Sequence, residues 1–267
     1  MMKVLVMTDF EGATGVMASD EQMDPAGRAH EEARRMFTGD VNAAIEGALD
    51  AGADEVVVLE GHGTPFSLIF RELNTEVNLI RGRRQWELHG IDESFDAMFV
   101  IGAHAGAGSA RGVLSHSFTS RKVHAVWVND GPPATELDLW AIEAGQFGVP
   151  VVLVTGDAEI VAHARELLGN VETVAVKEPI TRECALCLPP AKTGPMIRAA
   201  ARAAVERLPE AAPYRISTPF ELRVDYVSAL LAARVARQPG VRWIEGSVLA
   251  YTAEDIREAL AVMVYAG

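Results

Sequence analysis

The sequence predicts an α/β fold: a mostly parallel sheet flanked by helices, with a smaller C-terminal α+β portion. Three observations carry this. Short apolar runs recur at residues 4–7, 56–59, 98–101 and 151–154, the pattern of strands buried on both faces. Segments with apolar residues at helical spacing alternate with such runs. Glycine- or proline-bearing turns punctuate the series.

Taken in order, the first strand, residues 4–7, runs into Thr8-Asp9-Phe10-Glu11-Gly12. A helix is predicted over 28–51, with Met36, Val41, Ile45 and Leu49 on its core face and Gly52 as its stop. Strands follow at 54–60, ending in Gly61-His62-Gly63, and at 97–103, ending in His104 and a Gly/Ala/Ser-rich loop to 112. A strand at 123–128 meets the turn Asn129-Asp130-Gly131-Pro132-Pro133, and Thr135 caps a helix to 147. Residues 151–155 form a further strand, Asp157 opens a helix to 168, and 171–176 reads as an edge strand. Composition changes at Pro189-Pro190. This divides the chain into an α/β metal-binding catalytic domain, 1–190, and a smaller α+β domain, 191–267. The second part holds an alanine-rich helix at 194–208, strands at 220–227 and 246–251, and helices at 228–237 and from 254.

Bulk properties narrow the function. The 267 residues carry a formal net charge of −13, which argues against nucleic acid or an anionic membrane as partner. No apolar run approaches the roughly 18–20 residues that cross a bilayer. The start lacks a basic-then-apolar leader pattern, so a cytoplasmic enzyme is expected. Cys184 and Cys187 make no disulfide framework and read as buried packing thiols.

Chemistry gathers at the strand ends. Asp9 and Glu11 stand two apart, hence on one side of an extended chain. Two carboxylates held together repel unless a cation holds them. His62 follows the second strand between glycines, His104 follows the third, and Glu136 opens the helix after the Asn129 turn. In a parallel sheet such ends share one edge. Carboxylates with imidazoles suit zinc above all, then manganese or cobalt, and five ligands suit two ions bridged by a shared carboxylate and a water. Each residue also has a plainer reading: Asp9 and Glu11 as turn caps, His104 as a satisfied half-buried histidine, Glu136 as a first-turn acid. His116, in Gly112-Val113-Leu114-Ser115-His116-Ser117, suits proton transfer near neutrality. The glycine-rich loop has neither GxxxxGK[ST] nor Rossmann spacing, which excludes a nucleotide site.

Six motifs in register, TDFEG, GH at 61–62, GAHA at 102–105, GVLSHS at 112–117, VNDGPPATEL at 128–137 and VAVKEPITRECALCLPPAK at 174–192, resemble the bacterial zinc D-aminopeptidases of the DppA type. The resemblance implies a dinuclear zinc centre, two ions per subunit, held by Asp9, Glu11, His62, His104 and Glu136. It implies His116 as the catalytic histidine. It also implies a ring-like homo-oligomer, a ring-based decamer, with active sites facing an inner chamber. The expected activity is metal-dependent removal of the N-terminal residue from short peptides with a free amino terminus, D-residues above all. A related metal-dependent amidohydrolase acting on another small amide and a non-catalytic peptide-binding scaffold stand as alternatives.

Overall fold

A computed structural model describes residues 1–63, 66–83 and 87–265. In chain order its elements begin with β1 (Lys3–Thr8), α1 (His30–Asp50), β2 (Glu55–Glu60), β3 (Asn78–Ile80), β4 (Ala97–Ala103), β5 (Val123–Val128) and α2 (Glu136–Gln146). They continue with β6 (Val151–Asp157), α3 (Ala158–Leu168), β7 (Glu172–Thr181), β8 (Cys184–Cys187) and α4 (Pro190–Glu206). The last are β9 (Phe220–Tyr226), α5 (Ala229–Val235), β10 (Arg242–Glu245), β11 (Val248–Ala253) and α6 (Ile256–Leu260).

The main sheet runs β3-β2-β1-β4-β6-β7-β8, parallel throughout except for the β7–β8 pair. Its strands are apolar on both faces because both are covered. Val4, Val6, Val56 and Val58 pack with α1 and α4, while Leu5, Met7, Val57 and Leu59 pack with α2 and α3. From β1 the chain builds outward to β2 and β3 on one side and to β4 and beyond on the other. The cleft past the carboxyl ends of β1 and β4 is therefore the topological switch point, where open α/β sheets bind ligands.

A second, antiparallel sheet runs β10-β11-β9-β5. Helix α2 lies between the sheets: Leu137, Trp140 and Ala141 face the first, Leu139 and Ile142 the second. Helix α4 lies along α1 on the main sheet, with Gly47 against the Arg198 backbone. No helix among the described residues is long and apolar enough to cross a membrane.

Two capping residues, Thr135 and Asp157, sit where the sequence predicts them, and Ser228 is a third. Thr135 closes a capping box with Asp138, Asp157 accepts from the amides of Glu159 and Ile160, and Ser228 caps α5. Strand β7 departs from expectation. It is longer than predicted and lies inside the sheet, because β8 pairs outside it. That edge position corrects the reading of the cysteines: Cys184 is exposed and Cys187 half-buried, both free.

Strand β7 also carries a cation into the core. Buried Lys177 donates through Nζ to Glu11 O at 2.6 Å, to Ala13 O at 2.9 Å and to Val16 O. These bonds use all three ammonium donors and turn the carbonyls of the loop after β1 inward. Burial pulls the Lys177 pKa down to about 8, with Asp157 opposing. The same loop is tied again by Thr14, which donates to Asp40 of α1 through its amide and its hydroxyl, both at 2.8 Å.

Two outcomes follow. Lys177→Met strands three buried carbonyls and should cost about 3–5 kcal/mol of unfolding free energy, measured by urea denaturation; a loss below about 1 kcal/mol would show that the loop is held by other contacts. The second concerns Glu143 of α2, fully buried, with Oε2 3.3 Å from Leu88 N and Oε1 without a hydrogen-bond partner among the described residues. Burial pushes its pKa up to about 8, the Leu88 amide opposing. The folded state thus holds a proton that the unfolded chain releases near pH 4.3, so stability falls as pH rises from there to about 8. Glu143→Gln should stabilise the protein by roughly 2–4 kcal/mol more at pH 8 than at pH 5. Equal effects at both pH values would contradict a buried neutral carboxyl.

Candidate metal centre

The chain turns directly after Asp9, with Ala13 N donating to Phe10 O at 3.2 Å, and its side chains part there. Phe10 turns into the core and stacks on Phe37 with centroids 5.1 Å apart, while Asp9 and Glu11 both face His62. Its Nδ1 lies 2.9 Å from Glu11 Oε2 and 3.6 Å from Asp9 Oδ1. The ring edge of His62 meets Phe10 at 5.6 Å, so the loop holds both the acids and the imidazole between them.

Two glycines allow the strand ends to close up. Gly102 has φ +82° and a side chain there would lie 2.0 Å from Asp9 O; one at Gly61 would lie 2.4 Å from Thr8 O. Backbone bonds from Asp9 N to Ile101 O and from Gly61 N to Thr8 O occupy these approaches.

His104, just past β4, has Nδ1 2.9 Å from Ala105 O. A carbonyl only accepts, so this nitrogen carries the proton, and Nε2 faces Glu136 Oε1 at 3.3 Å and Asp9 Oδ2 at 3.4 Å. His116 repeats the arrangement. Its Nδ1 donates to Leu114 O at 2.8 Å, and Nε2 lies 3.9 Å from both Glu11 Oε1 and Glu136 Oε1. The two rings stack at 4.2 Å, 6° from parallel. Glu136 begins α2, fixed by the Thr135–Asp138 capping box, and its Oε1 accepts from Phe118 N at 2.7 Å. Asp138 is fixed in turn by His163 Nε2 at 2.7 Å.

All six residues singled out in the sequence therefore meet, and all line one cavity of about 720 Å³. Within it, Asp9, Glu11 and His62 offer atoms within 4.8 Å of one another, as do His104, His116 and Glu136. The second trio contains His116, which the sequence reading set apart from the ligands.

Buried acids at this density need positive charge. Burial drives the Asp9 pKa up to about 7, and Glu11 adds to the rise. Burial also works against charge on Glu11 and His62, but their mutual attraction outweighs it: Glu11 falls well below the usual carboxylate range, and His62 rises to about 10. His104, against the same burial, is lifted well above its ordinary value by Asp9 and Glu136. Asp9 Oδ2 is buried without a hydrogen-bond partner among the described residues. Carboxylates paired with imidazoles whose second nitrogens are pinned by carbonyls form a donor set that fits zinc.

Several contributors escaped the sequence reading. Lys177 stood visible beside Glu178 after Val174-Ala175-Val176, yet nothing showed which carbonyls it meets. Leu114 and Phe118 flank His116 with positive φ of 51° and 58°, a strain no residue type announces. Asp20, Asp24, Arg121 and Arg182 also line the cavity.

Comparison with known proteins agrees with this architecture. The D-aminopeptidase family model matches residues 2–265. The chain is 32% identical over 265 residues to the D-aminopeptidase of Bacillus subtilis (strain 168), covering 98% of this chain and 95% of that protein. Its fold matches the solved structure of the Zn-dependent D-aminopeptidase DppA from Bacillus subtilis, a self-compartmentalizing protease, with a TM-score of 0.94 at 31% identity, over 99% of this chain and 96% of that one. With a family match along nearly its whole length, this chain belongs to the D-aminopeptidase family.

Proposed function

We propose that the protein is a zinc-dependent aminopeptidase that removes the N-terminal residue, a D-amino acid, from short peptides. The observation that carries this reading is the convergence of three carboxylates and three imidazoles at the switch point of the sheet, on the wall of one cavity. The preference for D-residues rests on family membership.

Asp9, Glu11, His62, His104 and Glu136 are the residues that would hold two zinc ions; Asp9, with Oδ1 toward His62 and Oδ2 toward His104, is the carboxylate suited to be shared between them. The chemistry supplied by bound zinc is polarisation of the scissile carbonyl and acidification of water. The chain supplies the rest. His116 keeps Nδ1 on Leu114 O and presents Nε2 to the cavity. From there it would attack the carbonyl carbon, giving an acyl-imidazole that water hydrolyses after the C–N bond breaks, or take a proton from the attacking water and return it to the leaving amine as that bond breaks. Asp20 and Asp24, cavity carboxylates outside that ligand set, also favour a substrate bearing an ammonium group.

The related DppA is described as self-compartmentalizing, and a ring-like homo-oligomer is part of the proposal. Ile180 and Leu186 on the β7–β8 hairpin, and Trp243 and Ile244 on β10, are exposed apolar side chains that such an assembly would cover.

Purified protein should contain two zinc ions per chain by elemental analysis and hydrolyse D-Ala-D-Ala. Chelation should abolish turnover and lower the melting temperature, and zinc should restore both; full activity in the chelated protein would overturn the metal-dependent reading. His116→Ala should reduce kcat by at least about 100-fold while metal content stays at two. A variant that loses zinc together with activity would make His116 a ligand instead.

A further inference from the structure

The cavity wall is mostly acidic, with Asp20 and Asp24 beside the central carboxylates, yet it includes two arginines that the proposed chemistry leaves unused, Arg121 and Arg182. We propose that these two arginines bind the C-terminal carboxylate of the substrate, so that the enzyme selects very short peptides ending in a free acid. This deepens the aminopeptidase reading and rests on it for the placement of the other end of the peptide.

Both arginines are carried by turns anchored to the candidate centre. Arg182 lies in the β7–β8 turn, where its carbonyl accepts from Leu114 N at 2.9 Å. Leu114 is the residue whose own carbonyl holds His116. The Arg182 side chain is about half exposed, and its contacts are long: 3.4 Å to Glu183 Oε1 and 3.5 Å to Ser115 O. Arg121 follows Phe118, whose amide donates to Glu136, by three positions. The turn between them is set by Lys122 N and Val123 N, both donating to Thr119 O at 3.0 Å. No hydrogen bond or ion pair engages the Arg121 guanidinium among the described residues.

An exposed arginine on a protein of net charge −13 has many acids within reach. Here two guanidiniums, from separate turns, border the cavity with little of their bonding capacity used. A guanidinium fork matches a carboxylate by two parallel bonds. With the peptide's amino end at the candidate centre beside Asp20 and Asp24 and its carboxylate at the arginines, only a chain short enough to reach both ends satisfies the site. A peptide amide presents no charge to the arginines, and a long peptide places its carboxylate outside the cavity.

The test compares D-Ala-D-Ala with D-Ala-D-Ala amide on the zinc-loaded protein and on Arg121→Ala/Arg182→Ala. Both side chains are on the surface, so the variant should keep its melting temperature and zinc content. Wild type should prefer the free acid at least about tenfold in kcat/KM, and the variant should bring that ratio toward one, mainly through KM. A ratio that does not change, or a wild type that treats acid and amide alike, overturns the proposal. Calorimetric Kd values for both peptides on zinc-loaded His116→Ala, with and without the two arginine substitutions, give the same ratio without turnover. If the wild type hydrolyses neither peptide, the aminopeptidase reading fails, and the Kd ratio still decides the carboxylate site.

Discussion

The site depends first on the ammonium of Lys177. The loop after β1 has to present two carboxylates to one cavity while its own backbone turns away from the sheet. Three of its carbonyls point inward, and each would be a buried acceptor without a donor were it not for that one amine from a distant strand. The acids Asp9 and Glu11 are thus layered between a cation beneath the loop and imidazoles above it. Asp40, beside the same lysine, is pushed up to about 6 by burial, with bonds from Thr14 opposing the rise.

Much of this was legible in the sequence, and for identifiable reasons. Apolar runs without alternation marked β1, β2, β4 and β6 because both sheet faces are covered. Thr135 and Asp157 marked helix starts because a cap needs a short side-chain acceptor. The spacing of two led to Asp9 and Glu11 being expected on one side, and they do meet at His62, although the chain there is a turn rather than an extended strand. Strands β3, β8 and β10 were not legible. They are short, partly or wholly exposed pieces at sheet edges, defined by the neighbour they bond to rather than by their own residues. The pairing of β5 with β9 is equally invisible, since an apolar hexamer does not state which sheet it joins. Within the site, residue types at strand ends could be read, whereas the acceptors that pin the histidines are backbone carbonyls that every residue possesses.

Those carbonyls decide what the imidazoles can do. A histidine with both nitrogens free is an adaptable hydrogen-bonding group; one whose Nδ1 is committed to a carbonyl has a basic Nε2 aimed in one direction. His104 and His116 share this commitment, and their rings lie nearly parallel. Burial distinguishes them. The His104 side chain is 2% exposed and faces two carboxylates closely, while that of His116 is 17% exposed and stands farther from its acids.

That difference traces to the loop carrying His116. A residue firmly bound between two acids is suited to stay charged or to hold a cation, not to change partner during a reaction. His116 instead sits between two non-glycine residues with positive φ, Leu114 and Phe118, conformations that cost of order 1–3 kcal/mol each and persist only where surrounding structure enforces them. Three contacts do the enforcing: Leu114 N on Arg182 O, Phe118 N on Glu136, and Val113 N on Asp157. Each joins the loop to a different element, β7–β8, α2 and β6–α3. The ring of His116 is thereby placed at the cavity wall by the loop's backbone, independently of the carboxylates it faces. A nitrogen located in this way keeps its aim whether or not it bears a proton, as either role proposed for His116, nucleophile or proton shuttle, would require.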